Sequence, residues 1–275
     1  MSPQMIIEID DIQDPRLDIY RSLKATNTTR DLNLFVVEGS LMVERLLQSR
    51  YETEFLLTHP DWIKKPRFPI PDHVKVYCTS RQMMTELVGF SFHQGIMACG
   101  RRSDWPPLNE LLADKTRNLN TIVICPAIDN PENLGSIART AEALGVGAII
   151  VGTASPDPLS RRLTRVSMGA TLKLPVLKYE NPHDALDELK AAGYEFVATL
   201  ADHGCKELFS FHRSEKVGLL LGREREGLAL EFAERADHRV TISMVPGADS
   251  LNVSVAAGIF LYHFSQSKHF YKALG

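Results

Sequence analysis

Five side chains that could do chemistry sit in three short segments. Asn133 and Arg139 lie in Asp129–Ala141, Glu224 in Leu221–Leu228, and Ser250 and Asn252 open Ser250–Ile259. Two amides, a guanidinium, a carboxylate and a hydroxyl hold and orient a reactant through hydrogen bonds. A guanidinium is effectively always protonated, so proton abstraction by Arg139 is chemically demanding and positioning is the easier role. No Cys-x-x-Cys pair is present, and the nine histidines show no metal-ligand spacing. No Ser/His/Asp or Cys/His set is discernible either. The residue types point to positioning rather than to metal or covalent catalysis.

The elements around them are consistent with that role. The first segment follows the apolar run Thr121–Ile128, and the second follows Val217–Leu220. Each reads as a strand ending in a polar, Gly-containing turn that feeds a helix. In open α/β sheets ligands bind at that carboxyl edge. In the third segment Ser250 can N-cap a helix. Its continuation through Phe260-Leu-Tyr-His-Phe264 is apolar on nearly every side, which requires burial in a core or against another subunit. Asn133 has a second reading, as the N-cap of a helix starting at Leu134.

Together the three segments resemble the SpoU (TrmH-like) branch of the knotted SPOUT methyltransferases, which move methyl from S-adenosylmethionine to a ribose 2′-hydroxyl in RNA. Asn133, Gly135 and Arg139 match that family's Asn-x-Gly-x-x-x-Arg element. Gly222, Glu224, Gly227 and Leu228 match Gly-x-Glu-x-x-Gly-Leu, and Ser250–Ala256 matches Ser-Leu-Asn-Val-Ser-Val-Ala in full. The likeness covers Thr121 to the C-terminus. Where the family usually has Gly before the third motif, this chain has Pro246 followed by Gly247.

The resemblance implies a site. Arg139, Asn133, Ser250, Asn252 and Glu224 would serve the acceptor, with Arg139 either removing the ribose proton or only orienting a phosphate and the 2′-oxygen. Glu224, flanked by Arg223 and Arg225, could pair with an Arg to shape the turn, touch substrate, or be a solvated carboxylate. Thr199, Leu200, Gly222, Ile242, Met244 and Leu251 would line the adenosine pocket. Gly222 would allow close approach to the ligand, although Ile242, Met244 and Leu251 taken singly read as core. The cofactor would be S-adenosyl-L-methionine, leaving as S-adenosyl-L-homocysteine, with no metal.

Strands and helices alternate from Thr121 onward, giving a mostly parallel sheet with helices on both faces. The resemblance, not the periodicity, adds a trefoil knot. Residues 1–102 read as a small α/β module, with Phe35–Gly39 a strand and Leu41–Leu47 a helix, and resemble a ribosomal-protein-like RNA substrate-binding domain. Residues 103–118, with Pro106-Pro107, read as a linker, and 119–275 as the catalytic domain.

With 275 residues and 44% hydrophobic content the chain suffices for one large or two modest domains. No run approaches the roughly 20 apolar residues that cross a membrane. The acidic N-terminus lacks a signal-peptide pattern, and four scattered cysteines suit a cytoplasmic protein with reduced thiols. A net charge of −3 argues mildly against a nucleic-acid binder, because binding phosphates takes clustered Lys and Arg. The best local cluster is Arg161, Arg162, Arg165 and Lys173, opposed nearby by Asp157. A group around Arg16, Arg21, Lys24 and Arg30 is diluted by aspartates. Arg30, Arg161, Arg162 and Arg165 are therefore the RNA-binding candidates, with ribosomal RNA preferred slightly over transfer RNA.

The apolar, small-residue helix Val253–Phe264 predicts a homodimer, with Ser254, Ala257 and Gly258 admitting a partner helix. Two rival readings remain: a non-catalytic RNA-binding protein that retains the fold, and a dinucleotide-binding oxidoreductase. The second lacks Gly-x-Gly-x-x-Gly after its first strand.

Overall fold

A computed structural model describes residues 5–21, 28–89, 92–202, 204–245, 247–248 and 250–266. Pro246 lies outside the described residues. In chain order the first elements are β1 (Ile6–Glu8), α1 (Thr28–Asp31), β2 (Leu34–Glu38), α2 (Ser40–Leu47), β3 (Thr53–Thr58), α3 (Pro60–Lys64), β4 (Lys75–Cys78), α4 (Arg81–Val88) and β5 (Ile96–Arg101). There follow α5 (Leu108–Ala113), β6 (Thr121–Cys125), α6 (Pro131–Ala143), β7 (Ala148–Gly152), α7 (Arg161–Val166), β8 (Val176–Tyr179), α8 (Pro182–Ala191) and β9 (Glu195–Thr199). The last are β10 (Lys206–Glu207), β11 (Val217–Leu220), α9 (Leu230–Glu234), β12 (His238–Thr241) and α10 (Val253–Ser265).

The chain divides into two compact units. The first comprises the residues up to Asp104 together with Leu159–Lys173, and the second the remainder. The first unit holds a five-stranded mixed sheet in the order β1-β4-β3-β5-β2. Side chains alternate across it as a strand requires. Phe35 and Val37 enter one core with Val43, Leu46 and Leu56, while Val36 enters the other with Tyr20, Leu57 and Leu87.

Helix α7 lies in this unit by contact, although its chain neighbours β7 and β8 belong to the other. The contact is ionic: Glu38, at the end of β2, accepts 2.7 Å and 3.2 Å hydrogen bonds from Arg161 and Arg165. The basic cluster is thus met by a buried carboxylate distant in sequence, and not only by Asp157. Arg30 and Arg162 are exposed on α1 and α7.

The second unit is built on seven strands, all parallel, in the order β10-β12-β9-β11-β6-β7-β8. Parallel strands are covered on both faces and read as continuous apolar runs, and every residue of β6, β7 and β11 is buried. Strand β6 stops at Cys125, short of the expected Ile128, because Pro126 has no N–H for the ladder. Strand β8 begins at Val176, after a 3-10 turn at Ala170–Leu172 and Pro175. Strands β1 and β10, of three and two residues, are too short to show in a hydrophobic pattern. In the stretch read as a linker, Leu108 and Leu111 of α5 are buried in this unit's core beside Leu119, Ile122 and Leu186. Among the described residues no helix is long and apolar enough to cross a membrane.

Arg213 fastens the C-terminal helix to the start of the sheet. It is 9% exposed and donates to the Thr121 hydroxyl at 2.5 Å, to the Asn120 carbonyl at 2.8 Å and to the Glu215 carbonyl. Its guanidinium also lies 5.6 Å from the Phe264 ring of α10. Arg213→Met keeps much of the volume but leaves these acceptors unsatisfied, and should lower stability by about 2–3 kcal/mol. The readout is a lower urea midpoint at unchanged slope; an unmoved midpoint would show that Arg213 anchors nothing.

Candidate active site

All seven strands of the second unit point the same way, so β6, β9, β11 and β12 deliver their carboxyl ends to one edge. The loop after β11 folds back on itself there. The Arg223 N–H donates to the Gly227 carbonyl at 2.9 Å, and the Gly227 N–H returns to Arg223 at 3.1 Å. A Cβ on Gly222 would lie 2.1 Å from the Gly227 carbonyl carbon and the Leu228 nitrogen. Gly222 is therefore required by the closure of its own loop, and it also stands on the wall of the cavity described below. Gly227 closes the turn at φ +70°, in the left-handed region that favours glycine. Arg223 ties the loop down by donating to the Ala127 carbonyl at 2.8 Å.

The closed loop presents Glu224 to the two asparagines. Asn133 donates to one Glu224 oxygen at 2.8 Å, and Asn252 donates to the other at 2.9 Å and to Asn133 Oδ1 at 3.0 Å. Glu224 thus takes amide partners and makes no ion pair with Arg223 or Arg225. The hydrogen bonds from Asn133 and Asn252 hold its carboxyl below the ordinary glutamate value, with a smaller contribution from Arg225. The ionised network is intact above the ordinary glutamate range and is lost as pH falls through that lowered value.

Both asparagines sit at helix starts. Asn130, not Asn133, caps α6 by accepting from the Glu132 N–H at 2.9 Å. Asn133 is two residues into that helix from Pro131, with its side chain turned to the loop. Asn252, not Ser250, caps α10 by accepting from the Ser254 N–H at 2.9 Å. Two helix N-termini therefore face one carboxylate, an arrangement that the helix dipoles favour.

Beside this network lies a cavity of about 450 Å³. Its walls include Thr199, Leu200, Gly222, Ile242, Met244 and Leu251, together with Glu224 and Ser250. The structure thus gathers all six residues expected around the adenosine. The volume and the mix of apolar wall with few polar groups suit a nucleoside-sized ligand. The Thr199 hydroxyl is committed to the Leu220 carbonyl at 3.0 Å, which leaves backbone and the apolar walls to face the ligand. Val253, Ala256 and Phe260 of α10 complete the wall and were missed in the sequence. Their spacing of three and four residues marks one helical face, which would have identified them. Arg139 is exposed on α6, about 9 Å along the helix axis from Asn133 by the ordinary rise, and does not line the cavity. Among the described residues no group of His, Cys, Asp or Glu could hold a metal ion.

The model of the SpoU rRNA Methylase family matches residues 120–262, over half of the chain. An uncharacterized tRNA/rRNA methyltransferase of Mycobacterium bovis is 33% identical, over 95% of this chain and 92% of its own. The 23S rRNA (guanosine(2553)-2′-O)-methyltransferase RlmP of Bacillus subtilis is 25% identical, over 93% of this chain and 98% of its own. Among solved structures, an AdoMet-bound rRNA methyltransferase from Sinorhizobium meliloti superposes with a TM-score of 0.80 at 25% identity, covering 95% of this chain and 98% of that one. The chain belongs to the SpoU methylase family. It is an RNA methyltransferase with the SPOUT α/β fold.

Gly222→Ala forces the loop open and should weaken S-adenosylhomocysteine binding about 100-fold, the equivalent of about 3 kcal/mol of overpacking strain. Titration calorimetry measures this. An affinity within a few-fold of the parent protein would mean that the closed loop does not shape the cavity.

Proposed function

We propose that this protein transfers a methyl group from S-adenosylmethionine to a ribose 2′-hydroxyl of structured RNA, with ribosomal RNA preferred over transfer RNA. The observation that carries the reading is the Asn133–Glu224–Asn252 network standing at the rim of a nucleoside-sized cavity. The B. subtilis relative named as a 2′-O-methyltransferase of 23S rRNA supports the reaction and the ribosomal preference.

The cofactor supplies a methyl on a positively charged sulfur, so the transfer is an in-line displacement in which a C–O bond forms as the C–S bond breaks. The protein's share is placement, which is worth on the order of 7–11 kcal/mol when reactants are aligned. Asn133 and Asn252, fixed by Glu224, orient the acceptor ribose. Ser250 lines the cavity at the same rim. Arg139 holds a phosphate and the 2′-oxygen, and the hydroxyl proton leaves to that phosphate or to water. The first unit supplies further RNA contacts through Arg30 and Arg162, while Arg161 and Arg165 also hold the Glu38 carboxylate.

Arg139→Ala should abolish transfer while leaving cofactor affinity within a few-fold, because the residue serves the acceptor. Arg139→Lys should fail nearly as badly, since a point charge cannot reproduce a planar fork. The test is ribose-methylation mapping of ribosomal and transfer RNA from cells lacking the gene, complemented with each variant. Restoration of the methyl group by either variant refutes the role, and an unchanged methylation map in the deletion strain refutes the substrate.

A second observation supports a homodimer. Val255, Ile259 and Tyr262 are 51%, 39% and 60% exposed on α10, at spacings of four and three residues, and so form one uncovered apolar stripe. Gly258 is half-buried, and a Cβ there would make an ordinary contact with Thr140 of the same chain's α6 at 3.7 Å. Ile259→Glu should convert a dimer to monomer in analytical ultracentrifugation at micromolar concentration, and a parent protein that is already monomeric and active would overturn the dimer.

A further inference from the structure

We propose that Arg225 is the residue of the cavity rim that grips a phosphate of the bound RNA. The inference deepens the RNA-methyltransferase reading and rests on it. The cavity is lined by two arginines, Arg223 and Arg225, and by no lysine. Arg223 is spent on its loop, with Nε donating to the Ala127 carbonyl at 2.8 Å. Arg225 is exposed, and its guanidinium makes no hydrogen bond or ion pair among the described residues. Its influence on Glu224 is through the field alone, because the two amides already occupy that carboxylate.

Away from the cavity wall, the cations assigned to RNA above are Arg139 on α6 and those of the first unit. The chain's net charge is −3, and two members of its densest basic cluster, Arg161 and Arg165, bind the Glu38 carboxylate. An RNA acceptor brings a phosphate on either side of the reacting ribose, and phosphates are held by cations, best by the bidentate fork of arginine. A guanidinium left unpaired at the rim of the cofactor cavity, beside the network that orients the ribose, meets that need. The phosphate contact also fixes register without reading a base. Arg225 is thus a positioning residue for the acceptor strand, distinct in duty from Glu224 next to it.

The test is binding of a fluorescently labelled, mixed-sequence 20-nucleotide RNA across a salt series, with S-adenosylhomocysteine present, for the parent protein, Arg225→Ala and Arg225→Lys. Cofactor affinity is measured separately by calorimetry. Loss of one phosphate contact should flatten the log–log salt slope of the Ala variant by about 1. The Lys variant should keep that slope while binding RNA more weakly than the parent. S-adenosylhomocysteine affinity should stay within two- to threefold in both. An unchanged salt slope in Arg225→Ala overturns the proposal. So does a loss of S-adenosylhomocysteine affinity with the RNA slope unmoved, which would assign Arg225 to the cofactor's own carboxylate. A parent protein that binds S-adenosylhomocysteine but no RNA overturns the RNA reading itself and this assignment with it.

Discussion

The candidate site depends on one carboxylate accepting two amides. Glu224 stands on a loop after β11, Asn133 on α6 after β6, and Asn252 at the head of α10 after β12. Three separate connections are joined by these side chains. The carboxylate suits the position because it accepts only, and both partners offer N–H groups. Replacing the acid by an amide would set donor against donor, so the charge belongs to the construction of the site as much as to its chemistry.

The parallel sheet makes that junction possible. Antiparallel strands would send alternate carboxyl ends to opposite edges; here seven parallel strands send all of them to one. The loop that carries Glu224 is as compact as a turn allows, with Gly222 pressed against Gly227 and Leu228. Its cost in backbone freedom is offset by the paired Arg223–Gly227 hydrogen bonds and by Arg223 on the Ala127 carbonyl. The cavity beside it is therefore formed by backbone and apolar walls, as recognition of a nucleoside needs.

Arginine has several duties in this chain, and they differ by burial. Arg213 is a buried strut, Arg161 and Arg165 neutralise Glu38, and Arg223 fastens a loop. An acidic protein can still act on RNA when its remaining cations are placed at the site rather than spread over the surface. Counting basic residues along the sequence does not separate these uses, because the partners of Arg161 and Arg223 lie 123 and 96 residues away.

The sequence by itself determined the alternation of strands and helices, the placement of the motifs at strand ends, and the six residues that line the cavity. The alternation rests on local apolar periodicity and the motif placement on short motifs, whereas the six cavity residues followed only from the family resemblance that those motifs carry. It also placed Asn133, Glu224 and Asn252 together as a group. Only the tertiary structure decided how they bond, that Asn130 and Asn252 are the caps, and that Gly222 serves its own loop. The same holds for the partnership of Glu38 with α7 and for the packing of Gly258 on Thr140. Each of these turns on which long-range groups come within hydrogen-bonding or van der Waals reach, and that is fixed by the register of a parallel sheet whose neighbours are far apart in the chain.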